Sequence, residues 1–268
     1  MYTKEQYEKA FILRKKGFTY LDISKNLNIT YPRTTFGWIK EGILPRGRFL
    51  NPEFDKLTPE LGYILGVIHG DGYLVIKRTK GRVGLEVIDK DFAQNFHNQL
   101  EKWSGLEFSF YFNKNKGLYT AVLYSLRAAR FLKDFNIYNL VDADNEIKAN
   151  FLRGLFDSEG NVSASNLETP KTATRFISFF NNDKKLIDLT KTLLESLGIK
   201  VQNVDKRVGG GFKETTINFR LRIGGFNNLE LFRNKIGFSI ERKNKKLEEL
   251  LASYFKYHFS TVLQNKHS

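Results

Sequence analysis

Two short stretches, ILGVIHGDG at 64–72 and LRGLFDSEG at 152–160, share a spacing that governs what this chain can fold into. Each has a glycine third, Gly66 and Gly154, and an acid eighth, Asp71 and Glu159. Both pairs are separated by 88 residues (154 − 66 and 159 − 71). A repeat on that scale implies two similar units rather than one irregular one.

Residues four apart share a helix face. Gly62, Gly66 and Gly70 therefore form a stripe almost without side chains, and Asn150, Gly154 and Ser158 form the matching stripe. A glycine inside a helix costs about 1 kcal/mol relative to alanine. Repeating it makes sense if two helices pack backbone to backbone, closer than the usual ~8–10 Å. The expectation is a near-symmetric central pair with Gly62, Gly66 and Gly154 at its interface.

The flanking segments repeat in order. Thr58-Pro59-Glu60 reads as a helix start, Thr as N-cap and Pro in the first turn, and the helix runs to about Gly70. Strands are expected near 73–77 and 83–89, a helix from Asp91 to about Trp103, strands near 106–112 and 118–124, then a short helix. The second half gives a helix over about 146–158, strands near 161–166 and 174–181, and a helix from Asp183 to about Leu197. Strands near 199–207 and 214–223 and two final helices complete it. The fold class is α+β, with two αββαββα repeats. The alternation in INFRLRI puts apolar residues on one sheet face and basic or polar ones on the other. Two such sheets make a saddle with Arg220 and Arg222 outward, and the KRTKGR turn adds Lys77, Arg78, Lys80 and Arg82 as DNA contacts.

The 268-residue chain has a formal net charge of +14, with Lys and Arg spread along its length. A polyanion is the expected partner, and double-stranded DNA the usual one. There is no cysteine, which excludes disulfides, thiolate metal sites and cysteine nucleophiles. No apolar run approaches the ~20 residues of a membrane span, and the N-terminus lacks a signal-peptide core. The expected location is intracellular, cytoplasmic or organellar, and not secreted.

Residues 1–42 read as three short helices resembling a helix-turn-helix. Arg33, Thr34 and Lys40 of the third are placed to reach DNA, with Thr35, Trp38 and Ile39 packing inward. Residues 43–57 read as a linker in which Arg46 and Arg48 are candidates for phosphate contact. The repeats then occupy 58–142 and 143–268.

The acids complete the pattern. Asp71 and Glu159 are expected at helix C-termini, followed by Gly72 and Gly160 as left-handed caps. There they meet the negative end of the helix dipole, and close packing brings them together. Both effects disfavour ionisation unless a cation is present. Mg²⁺ bound by one or two carboxylates plus phosphate oxygens resolves this and suggests metal-assisted hydrolysis of two phosphodiesters.

These residues resemble the LAGLIDADG homing endonuclease family in its single-chain, two-repeat form. Both nine-residue stretches match its motif, and the resemblance covers about residues 57–257. It implies a divalent-metal site formed by Asp71, Glu159, Gly70 and Ser158 that cuts both DNA strands. It also implies a monomer with internal pseudo-two-fold symmetry. Asp89 and Asn181 correspond to water-ordering polar positions, and Lys90 follows the first. IGFSIERKNKKL resembles the basic segment that supplies a catalytic lysine, here Lys243, with Arg242 next to it on DNA. The sixth motif position is His69 in the first repeat and Asp157 in the second; His69 is expected to pack or cap rather than ligate metal. Alternatives on the same fold are a non-cleaving DNA-binding transcription regulator and an RNA maturase acting on intron RNA.

Overall fold

Three helices open the chain: α1 (Lys4–Lys15), α2 (Tyr20–Asn26) and α3 (Pro32–Lys40). A computed structural model describes residues 2, 4–41, 53–167, 173–202, 204–208 and 217–264. The Thr19 hydroxyl accepts the Asp22 backbone N–H and starts α2. Asn28, at φ 53°, makes the turn toward α3, a conformation that asparagine tolerates better than most residues. Ala10, Ile23, Ile29 and Trp38 form a small core of their own. Thr35 and Trp38 point inward as expected, and the Thr35 hydroxyl is bonded to that of Ser24. Arg46 and Arg48 lie outside the described residues.

The first repeat comprises α4 (Pro59–Ile68), β1 (Tyr73–Ile76), β2 (Gly81–Val87), α5 (Lys90–Ser104), β3 (Phe110–Asn113), β4 (Leu118–Leu123) and α6 (Leu126–Asp134), with a 3₁₀ turn over Ile137–Asp142. The second comprises α7 (Asn145–Glu159), β5 (Gly160–Ser165), β6 (Thr174–Asn181), α8 (Lys184–Ser196), β7 (Asp205–Val208), β8 (Ile217–Gly224), α9 (Phe226–Lys235) and α10 (Glu241–Gln264). Each repeat has one antiparallel four-stranded sheet, in the orders β1-β2-β4-β3 and β5-β6-β8-β7. This is the expected α+β architecture of two matching halves.

Alternation sorts the strand residues. Val83, Leu85, Ala121 and Leu123 of the first sheet, and Ile177, Phe179, Leu221 and Ile223 of the second, are fully buried in the shared core. Their neighbours point to the opposite face, where Thr120, Val122 and Ser178 are buried as well.

The pair α4 and α7 forms the centre. Thr58 accepts the Leu61 N–H to start α4. A Cβ on Gly62 would lie 2.8 Å from the Ile147 carbonyl oxygen. One on Gly66 would strike the Phe151 carbonyl, and one on Gly154 the Tyr63 carbonyl. The neighbours are main-chain atoms, so the stripe does bring backbone onto backbone.

The helix ends differ from expectation. α4 stops at Ile68, and Asp71 lies in the following turn, where the Gly70 and Gly72 N–H groups both donate to the Val67 carbonyl (3.0 and 2.8 Å). α7 continues through Glu159 itself. Gly72 and Gly160 are not left-handed caps: neither has a positive φ, and Gly160 is extended at φ −77°, ψ 139°. Space is the reason for glycine there. A Cβ on Gly72 would sit 2.9 Å from the Val67 carbonyl, and one on Gly160 would overlap the Phe156 carbonyl. No helix among the described residues is long and apolar enough to cross a membrane.

Candidate active site

The crossing of α4 and α7 carries its register through to the motif ends. Gly70 has no side chain because Ser158 fills that space: a Cβ there would lie 2.6 Å from Ser158 Oγ and 3.6 Å from Glu159 Cγ. The Ser158 hydroxyl turns back to donate to the Gly154 carbonyl (3.0 Å). Asp71 and Glu159 are thereby brought together. Burial raises the pKa of both carboxyls, and the Asp71 charge raises that of Glu159 further. Asp71 is the more exposed of the two.

Lys243, in the first turn of α10, supplies the opposing charge. Its ammonium donates to the carbonyls of Phe156 (2.9 Å) and Asp157 (2.6 Å), capping α7 from 86 residues away. Burial pushes its pKa down to about 8, against the pull of Asp157. It lowers the pKa of both Asp71 and Glu159. Two of its three N–H donors are used on carbonyls.

Beneath it sits Asp157, only 1% exposed. It accepts the Tyr63 hydroxyl (2.8 Å), the Ser239 backbone N–H (2.8 Å) and the Ser239 hydroxyl (2.6 Å). Burial pushes its pKa up to about 6, and those hydrogen bonds pull the other way. These bonds anchor the segment that leads into α10. The adjacent Arg242 forms a two-pronged ion pair with Asp89 of the first repeat, 2.7 Å on each arm, which holds that carboxyl below its usual range.

A family model described as a LAGLIDADG-like domain matches residues 146–237. The uncharacterised protein MJ0398 of Methanocaldococcus jannaschii is 30% identical over 264 residues, covering 91% of this chain and 92% of that protein. The chain belongs to the LAGLIDADG family. A second protein of that organism, the uncharacterised MJ0314, is 29% identical over 157 residues, 56% of this chain and 57% of its own. The crystal structure of I-DmoI in complex with DNA and Ca is 14% identical with a TM-score of 0.50, covering 71% of this chain and 97% of that one. That likeness shows the fold.

Within this LAGLIDADG chain the two flanks of the acid pair are not alike. Asp89 occupies the N-cap position of α5 without a side-chain capping bond, and the residue in the same place before α8 is Asp183, whose carboxylate accepts the Lys185 N–H. Asn181, matched to Asp89 from the sequence, instead ends β6 and accepts the Asp183 N–H (2.8 Å). The offset of two residues reflects where each strand stops. Lys90 is exposed at the start of α5. His69, in the turn after α4, does not copy Asp157: burial lowers its pKa, opposed by Asp183. Lys243 has no basic counterpart in the first repeat. There the chain after α6 forms the 3₁₀ turn IYNLVD, in which Leu140 is buried.

The remaining candidates fall on two surfaces. Lys77, Arg78, Lys80 and Arg82 are exposed on the β1–β2 hairpin. Arg220 and Arg222 share the outer face of the second sheet but are not free. Both pair with Asp205 (2.6 and 2.5 Å) and lie over Phe180 and Phe176; Arg220 is buried. On α3, Lys40 is exposed, Thr34 half-buried, and Arg33 paired with Glu41 (2.6 Å). Asp183 starts α8 as expected, whereas the contacts of Asp157 with Tyr63 and Ser239, and of Asp205 with two arginines, escape a reading of the motif alone.

Proposed function

We propose that this chain is a site-specific double-strand DNA endonuclease that uses a divalent cation. The observation carrying the reading is the placement of Asp71 and Glu159 together at the end of the glycine crossing, with Lys243 beside them. Among the described residues no group of three or more His, Cys, Asp or Glu side chains is arranged to hold a metal. Two carboxyls held above their usual range by burial, with the Asp71 charge raising Glu159 further, fit a hard cation such as Mg²⁺ that takes its other oxygens from phosphate and water. Asp71 and Glu159 would hold it, with Gly70 and Ser158 at the edge of the site. Bound there, it supplies charge for the leaving oxygen and acidifies a water.

The protein's own groups do the rest. Lys243 stabilises negative charge beside the acids, and Asp89 and Asn181 orient water, with Lys90 at the first flank. Arg242, the basic hairpin and the outer arginines of the second sheet hold the duplex. Phosphate contacts of this kind position the DNA, and base-edge contacts specify it. The three-helix unit extends the site through Arg33, Thr34 and Lys40. One chain supplies both halves, so a monomer suffices.

A randomised duplex library with Mg²⁺ tests the reading. Site-specific double-strand cuts by the wild type, lost in Asp71→Asn and Glu159→Gln, are the expected result. Specific binding with no cutting, unchanged in both variants, returns a DNA-binding regulator instead.

A further inference from the structure

The pairing of Arg242 with Asp89 blocks the task of each. The Arg242 Nε and Nη2 groups donate to the two oxygens of Asp89. While the pair lasts it is neutral, so Arg242 offers a phosphate no net charge, and Asp89 has both oxygens engaged. The pair also lies beside the acids. The Asp89 charge raises the Asp71 pKa, and Lys243, next in sequence to Arg242, lowers that of Asp89.

The pair is built to open without moving α10. The Glu241 backbone N–H donates to Asp91 (2.5 Å), and Lys243 caps α7, so the main chain on either side of Arg242 is held by other bonds. The Arg242 side chain is 64% exposed, whereas that of Arg220 on Asp205 is 11% exposed. An ion pair with so exposed an arginine is weak. A phosphate accepts the same two-pronged edge of a guanidinium, and each phosphate contact releases counterions from the duplex. The device is one-sided: among the described residues no arginine or lysine side chain pairs with Asp183, which holds the matching place before α8.

We propose that a backbone phosphate of the duplex takes Arg242 from Asp89, so that arrival of DNA frees the Asp89 carboxylate to order water next to Asp71. The exchange rests on the reading that this chain binds duplex DNA, and it needs no cutting.

Fluorescence anisotropy on the full chain tests it, with a labelled duplex of random sequence, EDTA present and a salt series. If Arg242 moves to a phosphate, Arg242→Gln should lower the slope of log K against log salt by about one relative to wild type. Asp89→Asn should keep the wild-type slope and tighten binding by about threefold, because no pair has to open. Added to Arg242→Gln, Asp89→Asn should leave affinity unchanged. Asparagine suits the N-cap position, and thermal melts check that the variants fold. A wild-type slope in Arg242→Gln overturns the exchange, as does a steeper slope in Asp89→Asn, since either leaves Arg242 on Asp89 in the wild-type complex. Equal tightening in both backgrounds also overturns it, because Asp89 would then only repel DNA. A wild type that binds no duplex overturns the exchange together with DNA binding. Failure of the endonuclease reading alone would appear as the absence of cuts in the library assay with the coupling intact.

Discussion

Gly66 and Gly154 meet at the crossing of α4 and α7. A Cβ on Gly66 would lie 3.1 Å from the Gly154 Cα and 2.9 Å from the Leu155 nitrogen. Overpacking in a core costs about 1–3 kcal/mol and more when the neighbours cannot move. Here the neighbours are main chain. Gly66→Ala and Gly154→Ala should each cost about 3 kcal/mol or more by urea denaturation. Both should also separate the acids and abolish cleavage. A melt unchanged from wild type would show that the helices can slide apart freely.

Asp157 links stability to pH. Burial raises its folded pKa from 3.8 to about 6. Between those values the folded chain keeps a proton that the unfolded chain has released. Its contribution therefore favours the fold at low pH and is lost as pH rises through about 6, an effect of about 3 kcal/mol. Asp157→Asn removes the titration. The difference in urea midpoint between variant and wild type should shift in the variant's favour from pH 4 to pH 7, and a flat difference would contradict this.

The two acids should report on each other. The Asp71 charge raises the Glu159 pKa, and Lys243 lowers it. Carboxyl NMR should therefore show the Glu159 pKa falling in Asp71→Asn and rising in Lys243→Met. Calorimetry with Mg²⁺ should show weaker binding in Asp71→Asn than in wild type.

Asp205 restrains two arginines that face outward. Replacing it with Asn releases both guanidiniums. Duplex binding should tighten at low salt, and the slope of log K against log salt should steepen by about two, one for each arginine. Anisotropy titrations over a salt series measure this. An unchanged slope would place Arg220 and Arg222 off the DNA path.

The three N-terminal helices and the two repeats have separate cores among the described residues. A fragment of residues 53–268 should melt cooperatively within a few degrees of the full chain. Its duplex affinity should fall, because Arg33, Thr34 and Lys40 are gone. A molten fragment would reveal contacts that tie the units together.

Much of the architecture follows from local chemistry. Thr58-Pro59 starts α4, Asp183 starts α8, and INFRLRI sorts its side chains to two faces; each follows from a few adjacent residues. The glycine spacing is readable because a helix places every fourth residue on one side, whatever lies opposite. Local pattern failed at the ends of elements. Gly72 and Gly160 were expected as left-handed caps, but backbone crowding by Val67 and Phe156 accounts for them. Asn181 was matched to Asp89 because strand ends cannot be counted to the residue from alternation alone.

The sequence by itself determined the repeat, the central helix pair and the two acids, since periodicity along the chain is enough to specify which residues share a face. Only the tertiary structure decided what surrounds the acids. Lys243 reaches the Asp157 carbonyl across 86 residues, Arg242 reaches Asp89 across 153, and Tyr63 reaches Asp157 across 94. Such contacts depend on how helices and sheets pack, and packing fixes distances between residues whose separation in sequence carries no period.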